Sequence, residues 1–215
     1  MARYRFVWLM LISGLLVSCK PPHIDSGEPE TEQVNRKDAK QVSVEWKPNL
    51  GIDDFNLEPL EVYKEFVVEI PVIADERENR AVFGKILEDQ LVADKYIPLY
   101  TNQNVSKWLT QAVINALNFF GIRGVSKKGS LVVENEVSNI FLADDSKQRC
   151  DISFRVNVRS GEMLVWEGAI SGNSELYSHP DGSDGISECL SNTVLRTVYN
   201  MLTDNSFRDA VISVK

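Results

Sequence analysis

Two periodicities organise most of the chain. Phe66, Val68, Ile70 and Val72 alternate with Val67, Glu69 and Pro71, a spacing that predicts a strand. Pro71 has no N–H to place in a ladder, so this strand is expected at a sheet edge or with a bulge. A polar stretch carrying Pro98 and Asn102 separates it from a helical pattern. There Val105, Trp108, Leu109, Ala112, Val113, Ala116, Leu117 and Phe120 recur at steps of three and four, with Asn104 placed for an N-cap and Gly121 for a C-cap.

Period two then returns. Residues 131–142 are mixed but rich in β-formers and end at a turn, Asp144-Asp145. Cys150, Ile152, Phe154, Val156 and Val158 alternate with Asp151, Ser153, Arg155, Asn157 and Arg159. After a Ser160-Gly161 turn, Leu164, Trp166 and Ile170 share one face of a third run. A loop rich in Gly, Asp, Ser and Pro is expected over 172–185. A last helix then carries Ile186, Cys189, Leu190, Thr193, Val194, Thr197, Val198 and Met201 on one stripe. One-sided helices and half-buried strands pack as two layers. The expected fold is α+β: a two-layer sandwich in the order βαβββα, with a mostly antiparallel four-stranded sheet. Its last three strands form a meander, both helices cover one face, and the other face stays wetter.

Residues 20–56 lack either period. Pro21, Pro22, Pro29 and Pro48 stand among Glu28, Glu30 and Glu32, and such a stretch buries too little apolar surface to offset its ordering entropy. It is expected to be a flexible acidic tether, dispensable for folding, although alternating Val42, Val44 and Trp46 could make a short edge strand.

The N-terminus has a pattern of its own. Arg3 and Arg5 precede an apolar run from 6 to 16 broken only by Ser13 and Gly14, too short for a permanent span and suited to a secretory signal. It ends in Leu16-Val17-Ser18-Cys19, which resembles the lipobox of bacterial lipoproteins. By that resemblance the signal is cut before Cys19, whose thiol and new amine are acylated. The chain then divides into a signal peptide (1–18), a lipidated N-terminus with its tether (19–62) and a compact α+β periplasmic domain (63–215). Lys20, where lipoproteins retained at the inner membrane often carry Asp, favours the outer membrane.

Charge narrows the partners. The 215 residues carry a net −8, and losing Arg3 and Arg5 with the signal, but no acid, makes it −10. That balance argues against nucleic-acid binding, which needs a basic footprint. Two His and three scattered Cys leave little room for a His/Cys metal site, and no cofactor is expected. With Cys19 acylated, Cys150 and Cys189 remain, one on the apolar face of a strand and one on the apolar stripe of the last helix. Both face the layer between sheet and helix, where an oxidising periplasm allows a disulfide. Two buried thiols packed as small hydrophobes are the alternative.

The layout resembles the YajG-like family of small bacterial lipoproteins. The resemblance rests on Asp75-Glu76-Arg77 after the first strand, Gly84, a helix ending in Phe119-Phe120-Gly121, the meander, and a last helix followed by Leu202 and Asp204. It covers about residues 63–212 and implies a domain related in shape to the N-terminal domain of TolB. The long tether and the stretch 91–104 depart from the family pattern. The auxiliary lipoproteins of lipid-exporting ABC transporters share the same layout.

No catalytic set is expected. Asp75, Glu76 and Arg77 read as an ion-paired loop anchor. Ser178, His179 and Asp181 hold the letters of a triad, but neighbours on one loop do not converge as triad members must. Gly121, Gly124 and Gly129 form no phosphate motif and read as cap and turn residues. The expected function is a non-catalytic, lipid-anchored envelope protein that touches the membrane through Cys19 and docks on an envelope protein assembly. The alternative is a carrier or transporter-auxiliary lipoprotein holding an apolar molecule in a groove between helices and sheet lined by Trp108, Phe120 and Trp166.

Overall fold

The computed structural model describes residues 39–87, 96–144, 147–176 and 183–214. The signal peptide, Cys19 and the stretch 20–38 lie outside the described residues. The meander expected from the sequence forms one side of the sheet: β7 (Leu131–Asp144), β8 (Gln148–Ser160) and β9 (Met163–Leu176) pair antiparallel in sequence order. On β8 every second residue from Cys150 to Val158 is buried, as the alternation demands. On β7 the buried set runs Leu131, Val133, Val137 and then Ile140, Leu142, a change of parity. A bulge between Val137 and Asn139 supplies the extra residue that flips it, which is why the stretch reads as mixed in sequence.

The far side of β7 is lined by three short parallel strands in succession. These are β2 (Val67–Glu69) against Leu131 and Val132, β3 (Ala74–Asp75) against Glu136 and Val137, and β4 (Val82–Leu87) against 142–144. The expected first strand is therefore interrupted rather than edge-placed or bulged. Pro71 cannot continue the ladder, Val72 turns out to solvent with 76% exposure, and the Ile73 N–H goes to Thr110 Oγ1 of the neighbouring helix (3.0 Å) before pairing resumes. β2 is also internal, because β6 (Arg123–Val125) pairs on its other side.

The polar stretch expected before the first helix holds two more strands. β5 (Tyr96–Tyr100) runs antiparallel to β4 and carries β1 (Lys40–Gln41) parallel to it. Among the described residues the sheet thus has nine strands, not four. Pro98 hides β5 from a strand reading, and β4 buries Phe83 without alternating. Gly84 is needed where β4 meets β7, since a Cβ there would sit 2.0 Å from the Leu142 carbonyl oxygen.

Two long helices, α1 (Val105–Phe119) and α2 (Ser183–Thr203), pack against the buried faces of β7–β9. Asn104 caps α1 by accepting from Lys107 N (2.9 Å), and Gly121 follows it with φ +74°, a conformation that favours glycine. The expected loop over 172–185 is shorter, because β9 runs to Leu176 and α2 starts at Ser183. The chain then breaks at Asp204 into α3 (Asn205–Ile212), which buries Phe207 and Val211.

The tether is corrected over its second half. Val42 and Val44 are buried in the core, Trp46, Leu50, Phe55 and Leu57 pack against it, and the 3-10 turn Glu58–Tyr63 buries Leu60 and Tyr63. The domain therefore includes residues 39–62 as well as 63–214.

Candidate functional site

Asp75 and Arg77 form a clamp local to one loop. Arg77 donates Nε to Asp75 Oδ1 (2.8 Å) and Nη2 to Asp75 Oδ2 (2.7 Å), while Nη1 and Nη2 also reach the carbonyls of Val82 and Arg80 (both 2.9 Å). The pair is almost sealed, with side chains 5% and 8% exposed. These bonds tie 75–82 into the turn that launches β4, so the guanidinium is used up by backbone and carboxylate. Glu76 instead points out and meets Arg155 at 3.5 Å across the exposed sheet face. The three residues do not converge on a common point where a substrate could sit. Gly124 lies in β6 and the Gly129 N–H donates to Glu69 Oε2 (2.9 Å), an internal use. Ser178, His179 and Asp181 lie outside the described residues.

Cys150 of β8 and Cys189 of α2 are joined as a disulfide, with Cα atoms 5.9 Å apart and a sequence separation of 39. Both are fully buried. The bond pins the second helix to the middle strand of the meander, and Thr193 Oγ1, one turn on, lies 3.4 Å from the Cys150 carbonyl.

The segment 42–50 is held by a different device. It lies extended along α2, and its backbone is hydrogen-bonded by helix side chains. Glu45 N donates to Ser187 Oγ (3.1 Å), Lys47 N to Ser191 Oγ (2.9 Å), and Asn49 N and Leu50 N to Asn192 Oδ1 (3.1 and 3.3 Å). Two extended residues advance about 6.6 Å and four helical residues about 6 Å, so the Glu45 and Lys47 amides meet Ser187 and Ser191 one helix turn apart, and the longer Asn192 side chain takes the next two amides. Upstream, Gln103 accepts from Val44 N and donates back to Val44 O. Lys47 Nζ bonds Asp184 (2.7 Å) and Glu45 (3.1 Å), and these partners, Asp184 first, hold its ammonium above the usual lysine range. Downstream, Phe55 inserts between Phe119, Phe120 and Tyr199, with ring centroids 5.0–6.1 Å away. Ser187, Ser191 and Asn192 carried no expectation from sequence. Their signal is a row of small polar residues at helical spacing beside the apolar stripe.

The aromatics expected to line a groove between the layers belong to separate contact sets. Trp108 is half-buried against the core, Phe120 belongs to the Phe55 cluster, and Trp166 stacks edge-on against Phe207 (5.2 Å) and donates Nε1 to Ser206 Oγ (2.9 Å). Where α1, α2 and the sheet meet, around Val113, Asn135, Phe154 and Val198, the free space is about 10 Å³. That is about room for one water.

A larger opening lies outside the layers. A cleft of about 370 Å³ has Arg196, Tyr199 and Asn200 of α2 as its floor. The strap turn at Leu50, Asp54 and Phe55 walls one side, and Ser171, Gly172 and Asn173 of β9 the other. The floor residues stand at i, i+3 and i+4 and so share one flank of the helix. Tyr199 donates its hydroxyl to Asn56 O (3.2 Å) and Asn200 its Nδ2 to Ser171 O (2.9 Å). Asp54 accepts from Gly51 N (2.7 Å). Arg196 is exposed and has no ion-pair or hydrogen-bond partner among the described residues. With one guanidinium, one carboxylate, amides and an open strand edge, this cleft suits an extended polar chain better than an apolar molecule.

No protein-family model matches the chain, and no curated protein matches it. Among solved structures it is similar to a Xanthomonas campestris protein described by the family model DUF330. The identity there is 10%, over 81% of this chain and 96% of that one, with a TM-score of 0.46. A PelC dodecamer from Paraburkholderia phytofirmans is similar at 16% identity over 62% of this chain and 86% of that one, with a TM-score of 0.35. A hypothetical protein from Chlamydia trachomatis is similar at 11% identity over 69% and 95%, with a TM-score of 0.36. No residue role is carried from these structures to this chain.

Proposed function

We propose that this chain is a lipid-anchored protein of the bacterial envelope, of the YajG-like kind, whose periplasmic domain is a non-catalytic module that docks on an envelope assembly. The observation that carries this reading is the Cys150–Cys189 bridge between sheet and helix, a bond that oxidising compartments form and the cytosol keeps reduced. It agrees with an N-terminus whose basic start, short apolar run and Leu16-Val17-Ser18-Cys19 suit export and acylation. Cys19 bears the lipid and two or three acyl chains hold the protein stably, since each buried CH₂ contributes about 0.8 kcal/mol. Lys20 after it directs the protein to the outer membrane, facing the periplasm. Docking rather than carriage is favoured because, among the described residues, the opening between helices and sheet around Val113, Phe154 and Val198 holds about 10 Å³, against the roughly 300 Å³ that a small-molecule site needs.

Metabolic labelling with a clickable palmitate analogue tests the anchor. Wild type is expected to carry label and need detergent for extraction, and Cys19→Ala to lose both properties. Label retained on Cys19→Ala overturns the lipid assignment.

A further inference from the structure

We propose that the free edge of β9, beside the Arg196 cleft, docks an extended acidic peptide segment of an envelope partner, added to β9 as a further strand with one carboxylate on Arg196. This rests on the module reading above and names the surface through which the module works.

The edge comes first. β9 pairs only with β8 among the described residues, although it runs for 14 residues. Ser171 O accepts from Asn200 Nδ2 and so points away from β8. Ser153, its partner across the ladder, likewise turns its carbonyl away from β9, where Ser138 Oγ reaches it (3.2 Å). Antiparallel pairing alternates, so Ala169, Ser171 and Asn173 all turn their backbone N–H and C=O groups away from β8, towards the side on which β9 has no strand neighbour among the described residues. Such a row is a template for an incoming strand, which takes the Ser171 carbonyl over from Asn200 Nδ2.

The cleft then selects the occupant. A strand added there sends alternate side chains over the flank of α2, where Arg196 offers a fork of donors with no carboxylate to fill it. Asn173 and Asn200 flank it with amides; Asp54, which accepts from Gly51 N, keeps its charge on the strap side of the cleft, so the partner's carboxylate is placed on Arg196, which has no ion pair among the described residues. A second copy of this chain fits badly. Pairing two β9 edges about Ser171 would set Glu167 opposite Glu175 and turn two Arg196 guanidiniums towards each other, both like-charge encounters.

The test uses the full-length lipidated protein in detergent and a capped decapeptide alternating Thr and Glu, followed by calorimetry and backbone hydrogen exchange. Binding below about 1 mM is expected, with slowed exchange at Ala169, Ser171 and Asn173. The Thr/Gln counterpart and the Arg196→Gln variant are each expected to bind about tenfold more weakly. Ser171→Pro, which removes one outward N–H at an edge that tolerates proline, is expected to abolish binding. If that variant does not fold, Arg196→Gln at its exposed position decides alone. No binding, equal binding of the Gln peptide, indifference to Arg196→Gln, or protection confined to other residues overturns the proposal. Photocrosslinkers at Asn173 and at exposed Met163, read in living cells, separate the two levels. Adducts at Met163 alone, or at neither position while whole-protein crosslinking still captures an envelope protein, overturn the edge site and leave the module standing, whereas no envelope crosslink of the whole protein removes both.

Discussion

Residues 105–203 and residues 39–104 reach the same core by different means. In the first region the long elements bury one face at their own period, the helices closing their hydrogen bonds internally and β7–β9 pairing with one another through ladders broken only by bulges. In the second, strands are two to six residues long and are separated by turns, and much of the backbone is satisfied by side chains from the first region. Ser187, Ser191 and Asn192 hold the strap and Thr110 holds Ile73 at the Pro71 break, while Gln103, itself in the second region, holds Val44. The first region is a scaffold with its own periodicity, and the second takes its shape from it. The contrast teaches that a segment can belong to a core without carrying a repeating apolar pattern, provided that another element supplies its polar partners.

Removing the strap breaks that comparison most severely. Deleting residues 39–56 takes Val42, Val44 and Phe55 out of contact, and each buried valine contributes about 1.5 kcal/mol or more. A loss of about 5 kcal/mol is expected, which at 2–4 °C per kcal/mol lowers Tm by more than about 10 °C. Calorimetry of the shortened protein measures it. A Tm within about 3 °C of wild type would return these residues to the role of a tether.

The same contrast decides what was legible. The helix of 105–119, the meander and the stripe of 186–201 were readable because period and burial coincide, and the Asn104 cap because its side chain serves its own helix. β4 and β5 were not, since Gly84 is fixed by a close approach to Leu142 and Pro98 interrupts the β-forming run. The strap was not, since its amides answer to Ser187 and Ser191 some 140 residues away. Arg196 and Asn200 look in sequence like any solvated flank, and only the approach of the strap turn and the β9 edge makes a cleft of them. Cys150 and Cys189 lie between these cases: their faces were readable, their contact was not.

Within the legible region the bridge is the largest single tie. Closing a 39-residue loop contributes about 4 kcal/mol in the chain-entropy account. Cys150→Ala with Cys189→Ala is expected to lose about that much by urea unfolding, and reduced wild type to match the double variant. Thiol titration of the unfolded, unreduced protein is expected to find neither cysteine free. Two free thiols per chain would mean that the region stands on packing alone.

In the region shaped from outside, the Asp75–Arg77 clamp is the strongest polar contact. Asp75→Ala leaves a guanidinium 8% exposed without its carboxylate, and an expected loss of about 3 kcal/mol follows. Replacing both, Asp75→Leu with Arg77→Met, is expected to recover most of it, because two apolar groups leave no buried charge. A double variant as unstable as the single one would mean that the bonds to the Arg80 and Val82 carbonyls, not the ion pair, set the turn.

The smallest effect lies where the two devices meet, at the junction of α2 and α3. Asp204 caps α3 by accepting from Phe207 N (2.9 Å) and from Ser206 Oγ, which in turn accepts from Trp166 Nε1. These bonds, Ser206 first, hold its carboxyl below the usual aspartate range. A carboxyl whose folded value is depressed stabilises the fold above its unfolded value of about 3.9, and that contribution disappears as pH falls through the folded value. Asp204→Ala is therefore expected to cost about 1 kcal/mol at pH 7, as loss of an N-cap does. Asp204→Asn, which keeps an acceptor and removes the charge, should cost less. The gap between wild type and Asp204→Asn should then narrow as pH falls from about 3.9 through the lower folded value, below which both caps are neutral. Urea unfolding at pH 7 and near pH 2.5, read by tryptophan emission, measures both differences. A gap that stays constant across that range would mean that the charge of Asp204 adds nothing to the cap, and that α3 is held by the burial of Phe207 and Val211 alone.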